Sequence, residues 1–210
     1  MAPMHAIDRR RIAVLCVECQ TGVLGPDSVL PLLAQDCPRL VTDLQRLLDA
    51  ARIAGVHVVH ATYEGACEAE TVGTARIWRV LAPATADWEP SAPATQVMSE
   101  LLAPSDVVVP RRHGLFPTLD TDLLAVLRGL GVDTVVLAGV SLNLALPVTA
   151  AHLSEAGFHL IVARDAVAGT PPDYGQQVLT HTMAKLGRLT TIDELIGSWT
   201  VDVAQPGRSS

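Results

Sequence analysis

The sequence predicts a doubly wound α/β domain, in which a mainly parallel sheet carries helices on both faces. Apolar runs of strand length, rich in β-branched residues, alternate along the chain with amphipathic helical patterns. The composition is 49% hydrophobic but only 3% aromatic, which predicts a core of Ala, Val and Leu, as in sheets that helices cover on both faces. The 210 residues suit one domain that buries roughly 70% of the surface its unfolded chain exposes.

Five strands are predicted from apolar runs that are bounded by turn signals. In chain order they lie in "RIAVLCVE", "GVHVVHATY", "SDVVVP", "DTVVLAGV" and "FHLIVARDAV". Helical patterns lie between several of them, most clearly in "CPRLVTDLQRLLDAARIAG", "TDLLAVLRGLG" and "DYGQQVLTHTMAKLG". Each pattern ends at the kind of Gly that is common just past a helix C-terminus. Because strands and helices alternate, we expect parallel strands joined by right-handed crossovers.

The domain is expected to span residues 9–200, with a flexible N-terminus over residues 1–8 and a flexible tail over residues 201–210. Residues 64–94 interrupt the alternation, because their periodicity is poor although they include Trp78 and Trp88. The segment is too long for a simple connection. It is interpreted either as an insertion packed over a site or against another subunit, or as a surface loop whose aromatic residues cover the domain's own edge.

Charge and hydropathy exclude several classes of partner. The net charge is −7, with no block of like charges and no Lys/Arg stripe, which argues against nucleic acid and anionic membranes. No stretch approaches the ~20 apolar residues of a membrane span, and "MAPMHAIDRRR" lacks the apolar core of a signal peptide. We therefore expect a cytoplasmic protein whose partner is a small-molecule substrate.

The cysteines include a C-x-x-C pair, Cys16 and Cys19, at the end of the first strand. Positions three apart in a strand face opposite sides of the sheet, and no second pair follows. The sequence therefore favours small buried hydrophobes in a reducing compartment over a metal or disulfide site. No metal ion and no cofactor are expected.

Candidate site residues follow from the rule that open parallel sheets bind ligands beyond the carboxyl ends of their strands, where the strand order reverses. Such residues follow three of the predicted strands: Glu18 and Gln20 follow the first, Arg111, Arg112 and His113 the third, and Ser141, Asn143 and Ala145 the fourth. If the three segments converge, Arg111 or Arg112 pairs with Glu18, which explains a carboxylate at the end of an apolar strand.

Each group of candidates also has a plain structural interpretation. Arg111, Arg112 and His113 either hold a substrate carboxylate or form a solvated loop. Asn143 and the backbone amides near Ala145 either receive an anion or a carbonyl oxygen at a helix N-terminus, or cap that helix. Glu18 either belongs to a site or simply points to water at the strand end.

Five stretches in order resemble the isochorismatase-like hydrolases, also called cysteine hydrolases, over residues 9–198. "VECQTG" is similar to the family's Asp and Gln after the first strand. "VVVPRRHGLFPT", with Phe116 and Thr118, is similar to its Lys, Phe and Thr. "GVSLNLALPVTAAH" is similar to its Gly-Val-x-Thr-Asn-x-Cys-Val, while "GFHLIVARDAVAG" and "LGRLTTIDELI" are similar to its last strands. The resemblance implies a six-stranded, Rossmann-like three-layer fold, Phe116 near the substrate, and a cis peptide bond between Val140 and Ser141.

The sequence departs from this family at the catalytic positions. The family's amidases use an Asp-Lys-Cys triad, in which the carboxylate deprotonates the thiol that attacks a carbonyl. In this sequence the Asp position holds Glu18, the Lys position falls on Pro110 or Arg111, and the Cys position holds Ala145. No nucleophile is therefore present at the Cys position. The true isochorismatases also lack the cysteine, and the resemblance implies for them proton donation by the carboxylate followed by water attack.

The sequence thus predicts cysteine-independent hydrolysis of a small substrate that can carry a carboxylate, in a homodimer or homotetramer. Glu18 is the acid/base group, Arg111 or Arg112 an electrostatic clamp, and Asn143 orients the substrate. Burial favours the protonated form of Glu18, whereas a nearby arginine favours the ionised form. The sequence does not decide which of the two effects is larger. The rivals are a pseudoenzyme that binds a small molecule or serves as a regulatory subunit, and a structural partner in a hetero-oligomer.

Overall fold

The computed structural model describes residues 8–65 and 73–200. Six strands form one sheet: β1 (Ile12–Val17), β2 (His57–Tyr63), β3 (Val107–Arg111), β4 (Thr134–Val140), β5 (His159–Ala168) and β6 (Arg188–Thr190). All neighbouring strands are parallel, in the order β3-β2-β1-β4-β5-β6. The predicted six-stranded, doubly wound sheet is confirmed. Strands β1 and β4 are buried along their whole length, as their apolar sequences require.

The helices within the described residues connect these strands. Their bounds are α1 (Thr21–Leu24), α2 (Pro31–Asp36), α3 (Leu40–Ala54), α4 (Trp78–Ala84), α5 (Leu123–Gly129), α6 (Ala145–Glu155), α7 (Pro172–Val178), α8 (Ala184–Leu186) and α9 (Ile192–Thr200). A π-helical turn, Leu179–Met183, joins α7 to α8 in one helical run that ends before Gly187. Helix α3 ends at Gly55, whose φ of 75° lies in the left-handed region that glycine adopts without strain.

The sheet separates two apolar cores. On one face, Leu44 and Leu48 of α3 and Leu195 of α9 pack against strand residues such as Val14 and Val136. On the other face, the leucines of α5 and α6 pack against the alternate strand residues, such as Leu15 and Leu137. Alternate residues of one strand thus serve opposite cores, which gives the three-layer arrangement.

The strand order reverses between β1 and β4. Crossovers leave these two central strands in opposite directions, so a crevice opens beyond their carboxyl ends. Glu18 follows β1 directly and Ser141 follows β4 directly, which brings two of the predicted site segments to this crevice.

The prediction that Cys16 and Cys19 face opposite sides of the sheet is wrong. Both are buried in the core that contains α3 and α9. The strand rule fails because β1 ends at Val17 and Glu18 adopts a φ of 55°, which turns the chain before Cys19. Both residues remain free cysteines, as expected. Cys67 lies outside the described residues.

The described part of the 64–94 segment packs onto the end of β2. The ring of Tyr63 lies 5.6 Å from that of Trp78 and 6.0 Å from that of Trp88, measured between centroids. Both tryptophans are buried, at 6% and 9% exposure. Residues 66–72, 1–7 and 201–210 lie outside the described residues, so the flexible termini stay predictions.

Candidate active site

Glu18 is held at the crevice by the backbone of two strands. Its amide donates to the carbonyl oxygen of Ala61 on β2 at 2.9 Å, and its positive φ directs the side chain beyond the sheet edge. The side chain is 16% exposed and its Oε1 accepts a hydrogen bond from Nη2 of Arg111. The carboxylate at the end of the apolar strand therefore has a cationic partner.

Arg111 is the last residue of β3, and its side chain is 3% exposed. Its guanidinium lies over the ring of Tyr63, with Cζ 5.3 Å from the ring centroid. Nε donates to the carbonyl oxygen of Gly114 at 3.3 Å, while Nη1 is buried without a hydrogen-bond partner. The pair is ionic and largely desolvated, with one donor of the cation left over.

The third segment begins with a cis peptide bond between Val140 and Ser141, as the resemblance implied. Neither Ser141 nor Asn143 caps α6 through its side chain, since α6 has no side-chain cap. The amide of Asn143 instead bonds twice to Thr170, donating to its carbonyl oxygen at 2.6 Å and accepting from its backbone N–H at 2.9 Å. Asn143 thus fastens the chain after β5 to the start of α6.

The three segments border one cavity of about 360 Å³. Its polar and charged lining comes from Glu18, Tyr63, Thr85, Arg111, Ser141, Asn143 and Thr170, and Ala145 lies at its wall. The remaining walls are mainly apolar and are formed by Val23, Val29, Leu30, Pro31, Leu32, Leu33, Ile77, Trp78, Leu81, Trp88, Leu115 and Leu144. An ion pair thus lies within a mainly hydrocarbon cavity.

Four predicted site residues are not among the described residues that line this cavity. Gln20 is fully buried and donates to the carbonyl oxygens of Tyr63 and Thr95, at 2.8 and 2.6 Å. Arg112 lies 3.8 Å from the carboxylate of Glu64. His113 contacts the carbonyl oxygen of Asp120 at 3.2 Å, and Phe116 is 37% exposed. The cationic corner predicted from the sequence is therefore divided, and only Arg111 reaches Glu18.

Sequence reasoning missed Tyr63 as a residue of the cavity. Its hydroxyl is buried without a hydrogen-bond partner of normal geometry, and its ring stands between Arg111 and the two tryptophans. A signal was present in the sequence: Tyr63 ends the second predicted strand, and the chain has only two tyrosines. The switch-point rule had been applied to three strand ends but not to this one.

The described cysteines are poor candidates for a nucleophile in this cavity. Cys16, Cys19 and Cys37 do not line it. A hydrogen bond with Cys16, followed by burial, raises the pKa of the Cys19 thiol well above its usual value, and burial raises that of Cys37. Raised values keep these two thiols protonated and unreactive. The hydrogen bond with Cys19 lowers the pKa of the Cys16 thiol, but Cys16 is fully buried and does not line the cavity. The described residues contain no group of three or more His, Cys, Asp or Glu that suits a metal ion.

A second buried charge cluster lies elsewhere, between α3 and the start of β3. Asp106, whose side chain is 1% exposed, accepts hydrogen bonds from Arg52, His60 and the backbone N–H of Ala103. Burial would raise the pKa of Asp106, but the bonds with His60 and Arg52 outweigh it and hold that pKa well below the usual range. Both carboxylate oxygens are engaged here, and no residue of this cluster lines the cavity.

Comparison with known proteins identifies the family. A model of the isochorismatase domain matches residues 12–194, which is most of the chain. The chain belongs to the isochorismatase family. A maleamate amidohydrolase from Pseudomonas putida is 27% identical over 182 residues, or 87% of this chain and 84% of that protein. An uncharacterized isochorismatase family protein from Escherichia coli is 32% identical over 95 residues, so the chain spans half of that relative and matches over 45% of its own length.

Solved structures of other proteins share this fold. A cysteine hydrolase from Pseudomonas syringae superposes with a TM-score of 0.79 at 25% identity, over 93% of this chain and 95% of the other. N-carbamoylsarcosine amidase from Thermoplasma acidophilum superposes with a TM-score of 0.70 at 19% identity, over 87% and 97% of the two chains. Arg111 extends to the carboxylate of Glu18, and the alignment of Ala145 with the family's cysteine stays a prediction. Within the described residues, no helix is long and apolar enough to span a membrane.

Proposed function

We propose that this isochorismatase family member is a hydrolase that works without a cysteine nucleophile and uses Glu18 as its acid/base group on a small molecule bound in the cavity. The observation that carries the proposal is the ion pair between Glu18 and Arg111, which borders the cavity beside Ala145. Membership of the hydrolase family and the name of the maleamate amidohydrolase relative support the reaction class.

Energetics support a functional role for this pair. Removing two charges from water costs several kcal/mol per ion, and replacing a buried pair by apolar residues is often neutral or stabilising by about 1–4 kcal/mol. The walls around Glu18 and Arg111 are already apolar, so a hydrophobic pair would suit the site at least as well. A costly pair at the switch point of the sheet is therefore better explained by chemistry than by stability.

The contact with Arg111 gives Glu18 a cationic partner beside the cavity. Glu18 acts first as a general base and then as a general acid: it takes a proton from a water whose oxygen bonds to the substrate, and it returns that proton to the leaving group as the scissile bond breaks. The N-terminus of α6 faces the same cavity at Ala145, where backbone N–H groups favour a developing negative charge. Assembly as a homodimer or homotetramer stays a prediction.

A second candidate function is ligand binding without turnover. Ala145 favours it, because this residue removes the nucleophile that the family's amidases use. In that case the cavity would serve a regulatory or carrier role. The two functions differ in one observable only, since both require a ligand in the cavity but only the first consumes it.

The test is a substrate screen with the purified chain, before and after treatment with iodoacetamide. The panel contains small esters, amides and vinyl ethers, and the melting temperature before and after treatment serves as the folding control. We expect turnover of at least one substrate class, and we expect this turnover to persist after the protein has been alkylated. Turnover that is abolished by alkylation of a still folded protein would assign the reaction to a cysteine. Binding without turnover of any class would establish the second function instead.

A further inference from the structure

We propose that the cavity selects uncharged, largely hydrocarbon ligands that carry one hydrogen-bond acceptor, and that Tyr63 and Arg111 together hold this acceptor. The inference deepens the proposed function and relies on it for the hydrolytic step, but the ligand class can be tested by binding alone. The sequence allowed a substrate that carries a carboxylate, and the present proposal is for an uncharged ligand instead. Three features of the cavity support it: its charge, its unused donors and its walls.

The charge balance of the cavity argues against an ionic ligand. Arg111 and Glu18 are the one cation and the one anion among the described residues that line it, and they neutralise each other. A ligand carboxylate would lie beside the carboxylate of Glu18 and compete with it for the same guanidinium. Like charges placed together in a desolvated site repel each other and weaken binding. A cationic ligand would be repelled by the guanidinium of Arg111 in the same way.

Most other polar groups of the cavity are engaged within the protein. Both polar atoms of the Asn143 amide bond to Thr170, whose hydroxyl donates to Asp36 at 2.5 Å. The hydroxyl of Thr85 donates to the carbonyl oxygen of Leu81 at 2.9 Å. Nη1 of Arg111, by contrast, is buried without a partner, and Oη of Tyr63 is buried without a hydrogen bond of normal geometry, with the side chain of Thr85 as a polar neighbour. A buried donor without a partner is destabilising, and a ligand acceptor would restore the missing hydrogen bond.

Tyr63 is held in place through its backbone, so that its hydroxyl can donate a hydrogen bond to a ligand. The side-chain amide of Gln20 bonds to both backbone groups of Tyr63: Oε1 accepts from the N–H at 2.7 Å, and Nε2 donates to the carbonyl oxygen at 2.8 Å. Burial raises the pKa of the Tyr63 hydroxyl, with smaller opposing effects from Thr85 and Arg111, so the hydroxyl keeps its proton at neutral pH. Gln20, predicted to touch substrate, therefore acts on the cavity through Tyr63.

The walls determine the rest of the ligand. Opposite the ion pair, the cavity is formed by side chains such as Leu33, Leu81, Trp78 and Trp88, none of which carries a charge. Leu33 and the two tryptophans are at most 9% exposed, so the surface is preformed and apolar. A ring or alkyl group that packs there removes apolar surface from water, which favours binding. The acceptor must then lie at the end of the ligand that reaches Arg111.

The experiment measures binding of two nearly isosteric probes by isothermal titration calorimetry. 4-Phenyl-2-butanone is neutral, carries one carbonyl acceptor and cannot be hydrolysed, and 3-phenylpropanoate replaces its methyl group by an anionic oxygen. We expect the wild-type chain to bind the ketone about tenfold or more tightly than the anion. In Glu18→Gln, which leaves the guanidinium without its anion, the preference should reverse. Equal or tighter binding of the anion by the wild type would overturn the proposal.

The role of Tyr63 is tested with the matched pair Tyr63→Phe and Tyr174→Phe, since Tyr174 is 45% exposed and does not line the cavity. Loss of one hydrogen bond should weaken ketone binding about three- to tenfold in the first variant and leave it unchanged in the second. Unchanged binding in both variants would remove Tyr63 from the proposal.

Turnover is measured separately with methyl 3-phenylpropanoate, the hydrolysable ester of the same shape. Selective binding of the ketone without hydrolysis of the ester, and without turnover in the wider substrate panel, would contradict the proposed function and leave the ligand class standing. Hydrolysis of charged substrates alone would contradict the proposed ligand class and leave the proposed function standing.

Discussion

Two buried carboxylates of this protein, those of Asp106 and Glu18, form different ion pairs with arginines. Asp106 engages both of its oxygens, with Arg52, His60 and the backbone of Ala103, and its cluster does not border the cavity. Glu18 accepts from Arg111 through Oε1, borders the cavity, and leaves Nη1 of that arginine without a partner. Both carboxylates are mostly buried, at 1% and 16% side-chain exposure. Burial of a charge therefore does not by itself distinguish a site from a structural cluster.

The difference lies in how the carboxylate oxygens are engaged and in whether a cavity adjoins them. A carboxylate with both oxygens engaged fastens elements together, as Asp106 joins α3 to the residues before β3, although Nδ1 of His60 is buried there without a hydrogen-bond partner. A pair with an unused donor beside a cavity is a place where another molecule can complete the network. We therefore assign Asp106 to stability and Glu18 to chemistry, and only substitution of Glu18 should reduce turnover.

The largest effect is expected for Glu18→Gln. The amide keeps the shape and one acceptor for Arg111 but removes the ionisable group, so kcat/KM should fall by about 10²- to 10⁴-fold. The free energy of unfolding should fall too, by about 3–5 kcal/mol, because the guanidinium of Arg111, whose side chain is 3% exposed, loses its anion. Steady-state kinetics and urea unfolding measure the two quantities. Wild-type activity in this variant would mean that Glu18 is not the acid/base group.

A loss of stability without a loss of turnover is expected for Asp106→Asn. The new NH₂ group faces donors from which the carboxylate had accepted hydrogen bonds, and Arg52 keeps only the exposed Asp49 as an anion, so the free energy of unfolding should fall by about 3–5 kcal/mol. Turnover per folded molecule should stay unchanged, since the residue does not line the cavity. Urea unfolding followed by tryptophan fluorescence provides the measurement. A loss of activity larger than the loss of folded protein would show that the two clusters are coupled.

Acid should weaken the Asp106 cluster selectively. The pKa of Asp106 is held below its unfolded value, so its stabilising contribution is present above an unfolded pKa of about 3.9 and is lost as the pH falls from there toward the folded value. The difference in unfolding free energy between wild type and Asp106→Asn should therefore be constant near neutral pH and shrink below about pH 4. A difference that grows in acid would contradict the assignment.

The smallest effect is expected at an exposed ion pair. Arg46 contacts Asp193 on the surface, where the two side chains are 46% and 81% exposed. Water and salt screen such pairs, so Asp193→Asn should change the free energy of unfolding by less than about 0.5 kcal/mol. A change as large as that of Asp106→Asn would show that burial does not control the strength of these pairs.

The fold could be predicted because its signals are local. Apolar strands separated by amphipathic helices require a parallel sheet with two covered faces, and the structure has that sheet. The local rule failed only where the backbone turned unexpectedly. At Glu18, a positive φ brought Cys16 and Cys19 into the same core.

The site was only partly predictable, because side-chain partners depend on distances that the sequence does not contain. The switch-point rule found Glu18, Arg111 and the start of α6, which border one cavity. It could not show that Arg111 rather than Arg112 reaches Glu18, or that the amide of Asn143 is occupied by Thr170. The roles of Gln20 and Tyr63 were hidden for the same reason, since a fully buried amide and an unpartnered hydroxyl are properties of packing.

The most direct test of the central claim, that the carboxylate of Glu18 performs the chemistry, is chemical rescue of Glu18→Ala by formate. The variant vacates space beside the guanidinium of Arg111, which can bind a small carboxylate. The expected result is an ester hydrolysis rate that rises about tenfold or more with formate and then saturates, while chloride at equal ionic strength has no effect. A rate that stays flat with formate, in a folded variant of an active wild-type enzyme, would contradict the claim.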